Sequence, residues 1–266
     1  MSWWGKIVGG TLGFMMGGPI GALLGAYAGH NFDSGLNQNF GTTSAFKLGS
    51  QQRVQAAFFT ATFSTLGYIA KVDGHVSKSE INLAKSIMQE MQLSPELKKA
   101  AQQLFNQGKQ SGFDIESVLQ QLKREVSGRT TLIQLFLEIQ IREANADGKI
   151  DSAELSVLKH LAAILGFNDY QLNSIISRVQ AGHAYQNDFN QGQSSANAIA
   201  NAYQILGLTK DCSEQELKRS YRRLMAQHHP DKLVAKGLPE EMIKLATEKT
   251  QEIKAAYDLI KKARKK

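Results

Sequence analysis

The chain has 266 residues, a formal net charge of +7 and a single cysteine, Cys212. One cysteine excludes an intramolecular disulfide and fits a reducing compartment. The charge is lopsided: residues 201–266 hold 15 Lys/Arg against 9 Asp/Glu, a net +6, and the rest of the chain carries only +1.

From Ile7 to Ala28 no side chain is charged. As a helix this run is ~33 Å long, enough to cross a hydrocarbon core of ~30 Å. Glycine recurs every fourth residue at Gly5, Gly9, Gly13, Gly17, Gly21, Gly25 and Gly29. Each glycine weakens a helix in water by roughly 1 kcal/mol relative to Ala. In lipid the backbone has no other hydrogen-bond partner, so the helix persists. The ridge formed by Gly9, Gly13, Gly17, Gly21 and Gly25 lets a second helix approach closely, which predicts a transmembrane dimer. Trp3 and Trp4 stand where an interfacial anchor belongs. Two alternatives stay open. Lys6, the apolar run and Ala26-Tyr27-Ala28 imitate a cleaved secretory leader. A soluble glycine-rich hairpin turning at Gly17-Gly18-Pro19 is the other.

Residues 50–180 read as helical throughout, with apolar residues at three- and four-residue spacings. The spacing predicts helices over 51–71, 78–91, 94–108, 114–125, 129–146, 152–165 and 168–180. An internal repeat runs through the block. Asp73-Gly74-His75-Val76-Ser77-Lys78-Ser79-Glu80-Ile81 returns as Asp147-Gly148-Lys149-Ile150-Asp151-Ser152-Ala153-Glu154-Leu155. Each copy has an Asp-Gly turn, a β-branched residue, then a helix N-cap with Glu three residues on. Two equivalent helical corners about a pseudo-twofold axis are the structural expectation. The functional alternative is a cation loop. Glu143, Asn145, Asp147, Asp151 and Glu154 fall at EF-hand positions 1, 3, 5, 9 and 12, with Glu in place of Asp at the first. The first copy puts Ile69 and Lys71 at ligand positions, so it cannot bind alike.

Ala181 to Ala198 is rich in Gly, Asn, Gln and Ser, and reads as a flexible tether of about 20–25 Å reach.

Near the C-terminus Ser213 and Glu216 have capping-box spacing and open an amphipathic helix to Gln227. Leu217, Tyr221, Leu224 and Met225 form its apolar face, and Lys218, Arg219, Arg222 and Arg223 its basic face. Pro230 forces a turn at His229. A second helix is expected from near Pro239, with Met242, Leu245, Lys249, Ile253, Ala256, Tyr257 and Ile260 inward. Two antiparallel helices thus hold His229-Pro230-Asp231 at an exposed tip. His228-His229 as a metal pair is disfavoured, because adjacent side chains diverge and no further ligand lies nearby in sequence.

In this order, Ala202–Leu208, Tyr221-Arg222-Arg223-Leu224, His229-Pro230-Asp231-Lys232 and Glu252–Tyr257 resemble a J-domain over about the last 66 residues. The repeated Asp-Gly corner resembles the TerB-like family. With the N-terminal span, and with Trp4–Ile7, Phe136–Ile141 and His229–Pro239, the whole chain resembles the DjlA family of membrane-anchored DnaJ-like co-chaperones. The resemblance implies an all-α protein with three parts: a transmembrane helix within 1–30, a TerB-like bundle at 50–180 and, beyond the 181–198 tether, a J-domain at 199–266. It implies no active site and no cofactor, but stimulation of the ATPase of an Hsp70 partner, DnaK. His229, Pro230 and Asp231 carry over as the stimulating residues, and Lys218, Tyr221, Arg222, Arg223 and Lys232 as the docking face. It further implies an inner-membrane location with the N-terminus periplasmic and the bulk cytoplasmic. The chain departs from full-length DnaJ in having no Gly/Phe-rich segment, no zinc repeats and no fourth helix in its J-domain. A client or membrane partner is expected for the TerB-like domain. The rivals are a cation-responsive regulator using residues 143–154 and a basic nucleic-acid binder. The J-domain reading needs no nucleic acid.

Overall fold

A computed structural model describes residues 50–71, 85–145, 148–190 and 195–265. Their regular structure is helical, with no strand among the described residues. In chain order the helices are α1 (Ser50–Ile69), α2 (Pro95–Gly108), α3 (Ile115–Glu125), α4 (Thr130–Ala144), α5 (Ser152–Leu165) and α6 (Asp169–Asn190). They continue as α7 (Ser195–Ile205), α8 (Glu214–His228), α9 (Pro230–Ala235) and α10 (Ile243–Arg264). A helical segment at 85–90 precedes α2. The membrane span expected at residues 7–28, with its glycine ridge, and the first Asp-Gly corner at 73–81 lie outside the described residues. No helix among the described residues is long and apolar enough to cross a membrane.

Helices α1 and α4 are buried almost all round, as a central pair should be. Phe58 of α1 meets Phe136 of α4 edge to face, with ring centroids 6.3 Å apart. Two hydroxyls on buried α1 are satisfied within it: Thr62 Oγ1 donates to the Phe58 carbonyl at 2.7 Å and Ser64 Oγ to that of Thr60 at 2.8 Å. Helices α1 and α2 cross in backbone contact. A Cβ on Gly67 would stand 1.9 Å from the Phe105 carbonyl oxygen, and one on Gly108 would stand 1.9 Å from that of Ser64. No other residue type permits this crossing.

Local chemistry sets several helix starts. Ser94 Oγ accepts from the Leu97 amide before Pro95 opens α2, and Asp114 accepts from the Ser117 amide to start α3. Asp151 and Glu154 form a full capping box at α5, whose end is closed by Gly166 at φ +90°. The second Asp-Gly corner therefore leads into a capped helix, as the repeat suggests.

Two apolar cores result. The first joins α1–α6 and also takes in Leu233, Leu238, Met242, Leu245 and Ala246 from beyond α8. The second gathers Ala202, Tyr203, Ile205, Leu206, Leu217, Leu224, Ile253, Ala256 and Ile260 from α7, α8 and α10, with Ala181 and Tyr185 of α6 against it. Helix α6 thus spans both cores. The tether expected at 181–198 is instead helical over 181–190 and again from Ser195. The burial of Ala181 overrides a locally polar, glycine-containing composition.

Candidate functional site

Helix α8 starts as its sequence predicts. Ser213 Oγ accepts from the Glu216 amide at 3.2 Å, and the Glu216 carboxylate accepts from the Ser213 amide at 2.7 Å. Leu217 and Leu224 face the second core. Ser220 Oγ donates to the Leu206 carbonyl at 2.6 Å, tying α8 to the end of α7. The opposite face exposes Lys218, Arg219, Arg222 and Arg223. Lys218 pairs with Glu214 one turn earlier at 2.9 Å, a surface contact that orients more than it stabilises. Arg223 Nη2 donates to Ser220 Oγ at 3.3 Å. Tyr221 stacks on Tyr257 of α10, with centroids 4.2 Å apart and planes 17° from parallel. That stack closes the helical hairpin beside the basic face.

The helix stops at His229, whose φ of −60° and ψ of 124° turn the chain out. His229 Nδ1 accepts from the Asp231 amide at 3.2 Å. Nδ1 as acceptor places the neutral ring's proton on Nε2. The Asp231 side chain is 90 % exposed and that of His229 47 %. The three residues thus form a step that offers one ring donor and one carboxylate to solvent. Lys232 is exposed one residue on. Of the predicted stimulating and docking residues, Lys218, Arg222, Arg223, His229, Asp231 and Lys232 are exposed, and Tyr221 and Pro230 are half-buried.

Beyond the triplet the structure departs from the sequence expectation. In place of an open loop, Pro230 opens the short helix α9 and then a 3-10 turn at Glu240–Met242 leads into α10, so the second long helix starts at Ile243 rather than near Pro239. Leu233, Leu238 and Met242 leave the hairpin and enter the first core. The apolar character of Leu233 and Leu238 in a supposed loop was the available signal, and Met242, expected on the inward stripe of the second helix, turns to the other core.

The residue before the triplet is also placed by the helical domain. His228 is 3 % exposed, against His229's outward ring. Its Nε2 lies 3.7 Å from Glu138 Oε1 of α4 and 3.5 Å from Gln134 Nε2. Burial pushes the His228 ring below its ordinary value, although Glu138 pulls the other way. Burial alone would raise the Glu138 carboxyl, but His228, Lys249, a hydrogen bond from Gln134 and Arg178 together hold it below its ordinary value.

The candidate cation loop is not assembled in the same way. Glu143 is buried on α4, and the Asn145 amide oxygen accepts from Gln180 at 3.5 Å. Asp151 and Glu154 are turned into the α5 capping box. Asp147 lies outside the described residues. Among the described residues no three His, Cys, Asp or Glu side chains converge as a metal site.

Comparison with known proteins covers nearly the whole chain. Residues 1–39 match the co-chaperone DjlA transmembrane domain, residues 59–176 the tellurite resistance protein TerB, and residues 201–266 the DnaJ domain. The chain is 44 % identical to the co-chaperone protein DjlA of Vibrio cholerae, over 98 % of each chain. It is 42 % identical to that of Coxiella burnetii over 99 % of each, and 41 % to that of Photobacterium profundum over 97 % of this chain and 98 % of the relative. No solved structure matches.

Proposed function

The chain belongs to the DjlA family of membrane-anchored, DnaJ-like co-chaperones, and from that membership we propose that it stimulates the ATPase of an Hsp70 partner of the DnaK type. His229, Pro230 and Asp231 deliver the stimulus. Lys218, Tyr221, Arg222, Arg223 and Lys232 form the face that docks on an acidic surface of the partner. Catalysis belongs to the Hsp70, and this chain contributes no reacting group. Its effect is a bias on the partner's conformational equilibrium, which requires tighter binding to one of the partner's states.

One observation supports this reading: the exposed basic residues of α8 lead along the helix directly into an exposed His229 and Asp231 at its C-terminal end. A nucleic-acid binder would use the basic face and leave the triplet without a purpose. A cation-responsive regulator draws no support from a loop whose Asp151 and Glu154 cap a helix.

The same proposal divides the rest of the chain. Residues 1–30 form the anchor, 50–180 the TerB-like domain and 199–266 the J-domain. The N-terminus is periplasmic and the bulk cytoplasmic, where ATP and an Hsp70 are available. The ridge of Gly9, Gly13, Gly17, Gly21 and Gly25 pairs two anchors into a homodimer, and the TerB-like domain receives a client or membrane partner. Anchoring concentrates the Hsp70 at the membrane.

The test is single-turnover ATP hydrolysis by purified Hsp70 with the full chain in nanodiscs. The wild-type chain accelerates hydrolysis. His229→Gln loses nearly all of that acceleration while keeping its thermal unfolding midpoint. Equal acceleration by both removes the proposal.

A further inference from the structure

The exposed triplet lies between two buried anchors, and both are sunk into the helical domain rather than into the hairpin's own core. On one side His228 is sunk against Glu138 and Gln134 of α4. On the other, Leu233, Leu238 and Met242 are 1 %, 0 % and 0 % exposed within the first core. Polar contacts repeat the pattern. Lys236 Nζ donates to Thr131 Oγ1 of α4 at 2.9 Å, and Gln51 Nε2 of α1 donates to the Val234 carbonyl at 3.4 Å. Gly237, at φ +97°, lies so close to α1 that a Cβ there would stand 2.7 Å from Val54 Cγ1. The hairpin's own core includes none of these residues; its buried members end with Leu224 on α8 and resume at Ile253 on α10.

We infer that the TerB-like domain is the brace of the His229–Asp231 step, and that Leu233, Leu238 and Met242 are positioning residues for Hsp70 stimulation. A three-residue step between free ends samples many conformations, and only some match a partner. Fixing both ends removes that search, so the step is presented in one geometry. The docking face of α8 stands on the other core and does not depend on the brace. The inference rests on the Hsp70 reading above, and it separates two quantities that reading leaves joined. Loosening the brace lowers the maximal stimulation and spares the concentration of chain needed for half of it.

The experiment uses the full chain in nanodiscs and two independent lesions. Thr131→Val with Gln51→Ala removes both polar contacts from the helical-domain side and leaves every J-domain residue intact. Gly237→Ala drives a methyl into Val54, and adding Val54→Ala reopens that space. Hydrogen exchange at the amides of residues 233–238 reports the brace, and Hsp70 turnover reports its use. The wild type protects these amides. Both lesions expose them and lower maximal stimulation by roughly two- to thirty-fold, the range that coupling through packed side chains supports, with the half-maximal concentration unchanged. Val54→Ala recovers part of the Gly237→Ala loss. The inference is overturned if the wild-type amides exchange freely, or if the lesions expose them and maximal stimulation holds. It is also overturned if both lesions leave protection intact. Should the wild-type chain leave the ATPase unmoved, the Hsp70 reading falls, and the exchange pattern still decides whether the helical domain holds the step.

Discussion

Among the described residues, the core of the helical domain is built from α1–α6 and the segment at 85–91, and borrows five residues, Leu233 to Ala246, from the C-terminal module. The core of that module is smaller, drawn from α7, α8 and α10, and borrows Ala181 and Tyr185 in return. The first core is completed by the segment that follows the His229–Asp231 step, while the second takes in only the end of a neighbouring helix. A module ordinarily treated as portable is here half embedded. Its basic helix α8 packs on its own core through Leu217 and Leu224, and the exposed His229–Asp231 step is flanked by residues sunk into the domain next door.

The sharpest way to break this comparison is at the α1–α2 crossing. Gly67→Ala sets a methyl against the Phe105 carbonyl in the middle of the first core. The backbones must separate, at a cost of the order of 5 kcal/mol, the extreme end for a point substitution. Because the post-triplet segment shares that core, thermal unfolding should lower the midpoint of the whole chain in one transition. A J-domain transition left unmoved would mean that the two cores are uncoupled.

A smaller effect distinguishes the cores directly. Leu238→Ala and Leu206→Ala each remove a fully buried side chain, from the first and second core respectively, and each should cost about 3 kcal/mol. Leu238→Ala should raise hydrogen exchange in α1 and α4, and Leu206→Ala in α8 and α10. Identical exchange patterns from the two variants would show a single undivided core.

The smallest effect is a pH dependence at the junction. Burial lowers the His228 ring below its ordinary 6.5, with Glu138 opposing and Lys249, Arg178 and Glu252 also facing it. Below pH 6.5 the unfolded chain therefore holds a proton that the folded chain refuses, so stability falls as the pH drops through that value toward the folded one. Above 6.5 the group contributes nothing. Glu138 works in a more acid window: its value is lowered from 4.5, so its stability is given up as the pH falls below that value toward the folded one. Thermal midpoints between about pH 7.5 and about pH 5.5 should fall for the wild type and flatten for His228→Gln. Parallel curves would move the titrating group elsewhere.

Much of this architecture is legible from residues alone wherever the determinant is local. Ser94, Asp114, Asp151 and Gly166 mark helix ends by their own side chains or backbone angles, and the predicted bounds of α2 to α5 fall within two residues of those observed. The capping box at Ser213, the turn at Pro230 and the basic face of α8 are readable for the same reason. Three features are not, because their cause is distant in the chain. Helix α6 continues past residue 180, since Ala181 finds a second core. Helix α9 has six residues and exists where Leu233 is buried in another domain. His228 and His229 look alike in sequence, and only helix phase separates them. His228 continues the Leu217–Leu224 stripe one turn further and faces inward, a clue that the apolar pattern offers and that its polar side chain disguises.

Helix α6 fixes the two domains in angle as well as in distance. Leu172, Ile175, Ile176 and Val179 point into the first core and Ala181 into the second, along one unbroken rod. At Gly182 that rod comes so near α10 that a Cβ would stand 2.6 Å from the Glu252 carboxylate. Adding one residue between Val179 and Ala181 would turn everything beyond it by about 100° and advance it by about 1.5 Å. The rod works as a keyed shaft: the angle at which the C-terminal module meets the helical domain is cut into its thread, and no slack exists there to correct a wrong count.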